Sequence, residues 1–237
     1  KLKLKYRIVA GKPYAIRHIA YDIDDMLIGD LIMGDSANTH LQQNMLFDVV
    51  KLDQERQRIT KLLQDNGYYK FNKDFLVYQA DTARNTYTVD LTMRLLPYQQ
   101  RKEDTPTKHK AYTIRNVNFL AEDNASLTDV HYTGYDSLHY EGINVFYQDK
   151  PYLRPSILAN FNFIRPNGLY SDQDVQNTFA SMGRLRALKY TNIRFDEVLV
   201  KDSNQLDANV LLTKGKNQSL AFEIEGTNSA GDLGAAA

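Results

Sequence analysis

The stretch YAIRHIAY at residues 14–21 returns as YTIRNVNF at 112–119. Tyr14, Ile16, Ile19 and Tyr21 correspond to Tyr112, Ile114, Val117 and Phe119, and the arginine between them recurs as Arg17 and Arg115. Copies this far apart repeat at the scale of whole domains, not of a solenoid period. The elements downstream of the first copy should therefore recur downstream of the second.

Downstream of the first copy, the pattern is clearest over residues 55–97. Ile59, Leu62 and Leu63, with Leu52 upstream, fall on one helical face, and Arg56, Arg58, Lys61 and Gln64 on the other. Asp53 is placed to cap this helix, and Gly67 to end it in the left-handed conformation. Beyond a polar turn at 81–85, Tyr87, Val89, Leu91, Met93 and Leu95 alternate with Thr88, Asp90, Thr92 and Arg94, a half-buried strand. Upstream, residues 26–36 read as a loop because of Gly29 and Gly34. Residues 38–47 read as a short helix with Leu41, Met45 and Leu46 apolar.

Residues 98–110 are charged, contain Pro106 and have no apolar period, so they read as a connection. In the second copy, residues 121–150 form a long tyrosine-containing insertion. A short helix is expected at 154–160. Ser171 and Asp174 then mark the start of a second helix, with Val175, Phe179 and Met182 on one face. Strands are expected at 192–200 and 205–213. Residues 1–9 alternate strictly and read as the last strand of a preceding module, and Leu220, Phe222 and Ile224 mark one more strand near the other end.

Composition narrows the functions open to the chain. Its 237 residues, 43% apolar and 24% charged, are enough for two modest domains. Lysine plus arginine balances aspartate plus glutamate, 29 against 29, so bulk attraction to nucleic acid is unsupported. No cysteine is present, which removes disulfides, thiolate nucleophiles and zinc ribbons and suits an oxidising or envelope compartment. The five histidines, His18, His40, His109, His131 and His139, show no metal-ligand spacing. Asp22, Asp24 and Asp25 lack the calcium-loop pattern and read as a solvated turn. No serine elbow or phosphate-binding glycine loop occurs, so neither catalysis nor a cofactor is argued.

The helix–glycine–strand–strand run, ITKLLQDNGYY followed by YTVDLTMRLLP, resembles a polypeptide-transport-associated (POTRA) domain. LRPSILANFNFIRPNGLYSDQDVQNTFASMGRLRALKY resembles the last such domain before the barrel in the BamA/TamA family of outer-membrane factors, the surface antigen D15 type. Arg154, Pro155, Leu158, Pro166, Gly168, Tyr170 and the Ser171–Asp174 cap sit where that pattern has them. SLAFEIEGTNSAGDLGAAA resembles the start of the family's outer-membrane β-barrel.

The resemblance implies an α+β chain of tandem β-α-α-β-β modules, each a three-stranded mixed sheet with two helices on one face. Its expected units are 1–11, the last strand of a preceding module; 12–97, a POTRA-like module; 98–110, a linker; 111–214, a second module with its insertion at 121–150; and 215–237, the truncated start of a barrel. It further implies a non-enzymatic periplasmic region of an outer-membrane protein. Its expected partners are unfolded outer-membrane proteins or their β-strands, and accessory assembly proteins, with the outer membrane reached through the barrel and no role for nucleic acid. In such a fold the strand after the second helix is an exposed edge, where a client strand can pair through main-chain hydrogen bonds. The candidate edge residues are Phe75, Leu76, Val77 and Tyr78 in the first module, and Ile193, Phe195 and Val198 in the second. Tyr135, Tyr140 and Tyr147 make the insertion a candidate partner loop, unless it folds back over its own module. A rigid scaffold for a fixed partner and the periplasmic part of a secretion pore are the alternatives.

Overall fold

The structure, a computed structural model, describes residues 11–82, 86–99, 101, 103–122, 132–198, 204–215, 225–229 and 232–236. The strands expected at 1–9 and around Leu220, Phe222 and Ile224 lie outside them. The chain is α+β, and each copy of the repeat builds its own sheet.

The first sheet has the order β1-β3-β2, from β1 (Ala15–Asp22), β2 (Leu76–Thr82) and β3 (Thr88–Leu95). The outer strands run parallel (β1) and antiparallel (β2) to the central β3. Two helices, α1 (Met26–Gly34) and α2 (Val49–Asp65), pack on this sheet. Ile28 and Ile32 of α1 and Ile59 and Leu63 of α2 meet Leu76 and Met93 in a buried cluster. Burying each such side chain contributes about 2 kcal/mol.

Helix α1 occupies the stretch that reads as a loop. Asp25 caps it, accepting the N–H groups of Leu27 and Ile28. Its two glycines cost about 1 kcal/mol each relative to alanine, and burial of Ile28 and Ile32 offsets that cost. Residues 38–47, expected as a helix, run instead as turns and extended chain. Asn44 holds a left-handed φ of 65°, and the segment pairs back onto β1: Asn44 N–H reaches Ile16 C=O at 2.7 Å and Phe47 N–H reaches Tyr14 C=O at 2.8 Å. Leu41 and Met45 still find a core beside Ile16, Leu52, Val89 and Leu91, which is why their spacing looks helical. The cap of α2 is Asp48, which accepts from Val50 N–H, and not Asp53, which lies inside the helix and pairs with Lys73.

The second sheet has the order β5-β6-β4-β8-β7, from β4 (Thr113–Glu122), β5 (Asp136–Tyr140), β6 (Ile143–Tyr147), β7 (Leu188–Glu197) and β8 (Gln205–Lys214). Strands β4, β8 and β7 repeat the first sheet. The insertion adds the hairpin β5–β6, whose strand β6 pairs parallel with β4 at Asn118, Phe119 and Leu120. The insertion therefore covers a stretch of β4 whose counterpart in β1, beyond the residues that pair with 44–47, pairs with no further strand among the described residues. Helices α3 (Pro155–Phe161) and α4 (Asp172–Met182) cover the sheet, and Ser171 caps α4.

The repeat extends to backbone detail. Asn167 takes a φ of 61°, its N–H reaches Ile114 C=O at 2.7 Å, and Tyr170 N–H reaches Tyr112 C=O at 2.9 Å. Arg17 and Arg115 each sit at a register shift, and each grips an aspartate across the sheet, Asp90 and Asp207. A bulge re-aims one side chain, so the arginine shared by the two copies is a structural one. A last small hairpin, β9 (Glu225–Ser229) with β10 (Asp232–Ala236), ends the described chain.

Candidate functional site

Strands β2 and β7 each come after the second helix of their module and each lie at a sheet edge. An edge strand offers unpaired N–H and C=O groups that another chain can use. The two edges differ in their surroundings.

Along β7, Val175 and Phe179 of α4 face Tyr190, Thr191, Ile193 and Leu211 across a groove of about 600 Å³. Gln176, Asn192 and Thr213 complete its lining, so the lining carries no charge. Phe179 is 52% exposed and Tyr190 65%, large apolar surfaces left in water on either side of the edge. Helix α4 buries Thr178 and Met182, so Phe179 does not join the buried face expected of it. Thr191 Oγ1, buried in the groove wall, finds no hydrogen-bond partner among the described residues. A buried polar atom without a partner costs about 1–3 kcal/mol, so such an atom calls for an explanation.

The edge at β2 is different. Phe75 lies in a 3₁₀ turn before the strand and packs on Phe71, Tyr98 and His109. Leu76 is fully buried, Val77 and Tyr78 are half-buried, and the exposed end of the strand is Gln79, Ala80, Asp81 and Thr82. Tyr78 points its hydroxyl into the module. Burial, and then the charge of Glu55, push its pKa well above the ordinary tyrosine value, and the hydroxyl finds no partner among the described residues.

Glu55, on α2, is fully buried. It accepts from Arg58 Nη2 at 2.6 Å, His40 N–H at 2.8 Å and Thr39 Oγ1 at 3.0 Å, and Arg58 also pairs with Asp35. Burial alone would raise this carboxyl's pKa, but hydrogen bonds from Arg58, His40 and Thr39 together hold it below the ordinary value. The network ties the chain between α1 and α2 to α2 itself. Helical periodicity puts Arg58 on the wet face and carries no signal for a buried acid.

The remaining expected residues are not brought together. Ile193 lines the α4–β7 groove, whereas Phe195 of the same strand stands at the joint between the modules, and Val198 lies just beyond β7 with its N–H on Gln205 C=O at 3.0 Å. Tyr135 and Tyr147 line a cleft of about 340 Å³ at the ends of β4, β6 and β8, where Tyr135 bonds Glu122. Tyr140 ends β5 at the hairpin turn. The described part of the insertion, residues 132–150, thus packs on its own module, and Tyr132 stacks on Phe146 at 3.9 Å.

The joint is built from residues that periodicity does not single out. Tyr69 of the first module packs among Tyr112, Tyr170 and Phe195 of the second, at 6.0, 5.0 and 5.5 Å. Gly67 C=O accepts Tyr112 N–H at 2.8 Å, and Lys70 Nζ meets Glu197 at 2.6 Å. Asp65 Oδ1 accepts Gln173 N–H at 2.7 Å, setting a carboxylate at the positive end of α4. The connection between modules is pinned too: Tyr98 and Thr107 pair, and His109 Nε2 bonds Leu96 C=O at 2.8 Å inside the Phe71–Phe75–Tyr98 cluster. Burial lowers the His109 pKa, with the Leu96 carbonyl acting against it.

Among the described residues no cluster of three His, Asp or Glu side chains could hold a metal ion, and no helix is long and apolar enough to cross a membrane. No family model and no curated protein matches the sequence. Solved structures do resemble it. The segment "BamA POTRA3-5" of Haemophilus influenzae aligns with 85% of this chain and 61% of its own, at 12% identity and a TM-score of 0.51. BamA of Haemophilus ducreyi lacking POTRA domains 1–3 aligns with 85% of this chain and 30% of its own, at 14% identity and a TM-score of 0.57. The chain thus spans less than two thirds of either structure. Its two modules have the fold of tandem POTRA domains.

Proposed function

We propose that the chain is the periplasmic polypeptide-binding region of an outer-membrane barrel protein that assembles, inserts or translocates other outer-membrane proteins, and that it takes extended client strands by addition to β7. The observation that carries this reading is the groove beside β7. It joins an open sheet edge to an uncharged wall bearing two exposed aromatics, Phe179 and Tyr190. Main-chain pairing would give affinity with little demand on client sequence, and the aromatics would receive alternate side chains of the incoming strand. The edge at β2 is a weaker candidate, because Leu76 and Tyr78 turn inward and its exposed end is polar.

The test is an NMR titration of the chain with peptides taken from outer-membrane β-strands. Shifts running along Leu188–Glu197 and reaching Phe179 support client capture. Shifts confined to the insertion hairpin would move the binding site there. No shifts at millimolar peptide would favour a scaffold that docks one fixed partner, a role for which the pinned joint around Tyr69 and His109 is also suited.

A further inference from the structure

We infer that His109 is a proton-operated latch on the joint between the two modules. Its neutral imidazole holds the connecting segment closed, and its protonation releases that segment and frees the angle between the modules. The inference stands whether or not β7 takes client strands.

The ring lies just before Tyr112, whose N–H bonds Gly67 C=O in the first module. Phe71, Phe75 and Tyr98 surround the imidazole, with ring centroids at 5.0, 4.7 and 6.0 Å. Nε2 reaches Leu96 C=O at 2.8 Å. A carbonyl only accepts, so Nε2 carries the proton and the neutral ring leaves Nδ1 bare. Nδ1 finds no hydrogen-bond partner among the described residues.

The same cluster reaches into the joint. Tyr98 and Thr107 exchange both main-chain hydrogen bonds, at 2.8 and 2.9 Å, which folds the connection back beside His109. Lys70 Nζ lies 5.8 Å from the ring centre of Tyr98 and of Tyr112, and it pairs with Glu197. Tyr112 Oη donates to the same carboxylate at 3.3 Å. A cavity of about 210 Å³ runs between these groups, lined by His109, Lys70, Tyr98, Tyr112 and Glu197. Its size and polar lining suit water, which gives a proton access to the imidazole.

A second proton puts a charge on a ring that has no acceptor for it. Burial already holds the His109 pKa below the ordinary value, with the Leu96 carbonyl and the charge of Asp25 acting against it. Lys70, Lys108 and Lys110 line the same cavity, against the single carboxylate of Glu197, which Lys70 already holds. Lys73 and Asp74, beside Phe75, are engaged by Asp53 and Arg56. Attraction between an imidazolium and the surrounding rings opposes release; the lysines and the loss of hydration favour it. The stability that His109 gives the closed joint is therefore complete above the ordinary histidine pKa of about 6.5, and is lost as pH falls through the lower folded value.

The test places one spin label in each module of the full chain, which has no cysteine of its own to compete for them. NMR of the imidazoles follows His109 through its titration, and His109→Gln assigns its signal among the five histidines. As pH falls through that titration, the wild-type distance distribution should broaden, and the protection factors of the Tyr98 and Thr107 amides should fall severalfold. His109→Gln keeps a donor for Leu96 and His109→Phe keeps the ring. Neither side chain titrates, so both variants should hold the neutral-pH distribution over the same range. The inference is overturned if His109 titrates at or above the ordinary value, or if wild-type distances stay unchanged across its titration. It is equally overturned if either folded variant broadens as the wild type does.

Discussion

Asp65 Oδ1, at the end of the first module's long helix, accepts the backbone N–H of Gln173 at 2.7 Å, in the first turn of the second module's helix. One carboxylate thereby ends one helix and satisfies the start of another. With Tyr69 in the neighbouring aromatic cluster, it makes the angle between the modules a packed feature and not a property of a loose linker.

Tyr69→Ala should loosen this joint. Loss of a half-buried ring from an aromatic cluster costs on the order of 2 kcal/mol. A spin-label pair, one label in each module, should show a broadened distance distribution, with the core of the first module unchanged in hydrogen exchange. An unchanged distribution would mean that the connection at 98–110 alone sets the angle.

Gly67→Ala should destabilise the chain by about 1 kcal/mol or more, because a side chain at a φ of +97° is strained. The added Cβ would also lie 3.1 Å from both Ala111 Cβ and Leu169 Cδ2. Urea unfolding of the two proteins measures the difference.

Glu55→Gln removes a buried charge that Arg58, His40 and Thr39 satisfy, and should cost about 2 kcal/mol at neutral pH. The pH dependence has a definite sign. The folded pKa of Glu55 lies below the ordinary glutamate value of about 4.3. Its stabilisation is therefore present above that value and is lost as pH falls through the folded pKa. Thermal melts of the wild type should fall more steeply below about pH 4.3 than those of Glu55→Gln. Parallel curves would show that other carboxylates govern acid unfolding.

Phe179→Ser and Tyr190→Ser should each weaken binding of β-strand peptides by about tenfold, the loss of an aromatic anchor worth about 1.4 kcal/mol. Both side chains are mostly in water, so melting temperatures should move little. Affinities that stay at the wild-type value in both variants would remove the groove from the binding site.

Asn118→Leu should release the insertion hairpin. Asn144 Nδ2 donates to Asn118 Oδ1 at 2.9 Å, Asn118 Nδ2 donates to Asn209 Oδ1 at 2.9 Å, and His139 and Asn144 extend the ladder to β5. Leucine would leave Asn144 Nδ2 without its Asn118 acceptor, at a cost of about 1–3 kcal/mol, while Asn209 keeps Tyr132 and Asp196. Hydrogen exchange over 136–147 should accelerate before that of β8.

The repeat and the α+β class are legible in the residues, and so are the short helix α3, the Ser171 cap that starts α4 and the left-handed Gly67, because these last three rest on neighbours a few positions apart. Edge positions for β2 and β7 also follow from the resemblance. Helix α1 and the extended path at 38–47 are not legible there. Glycine content and apolar spacing are weak signals beside burial on α2 and pairing with β1, which the local sequence does not encode. Tertiary structure alone decided that the insertion extends the sheet, that Glu55 is buried, that Phe179 faces water beside β7, and that Tyr69 joins the second module's core. Each of these depends on which distant surface a side chain meets. Periodicity along the chain says that a face is apolar, but not what covers it.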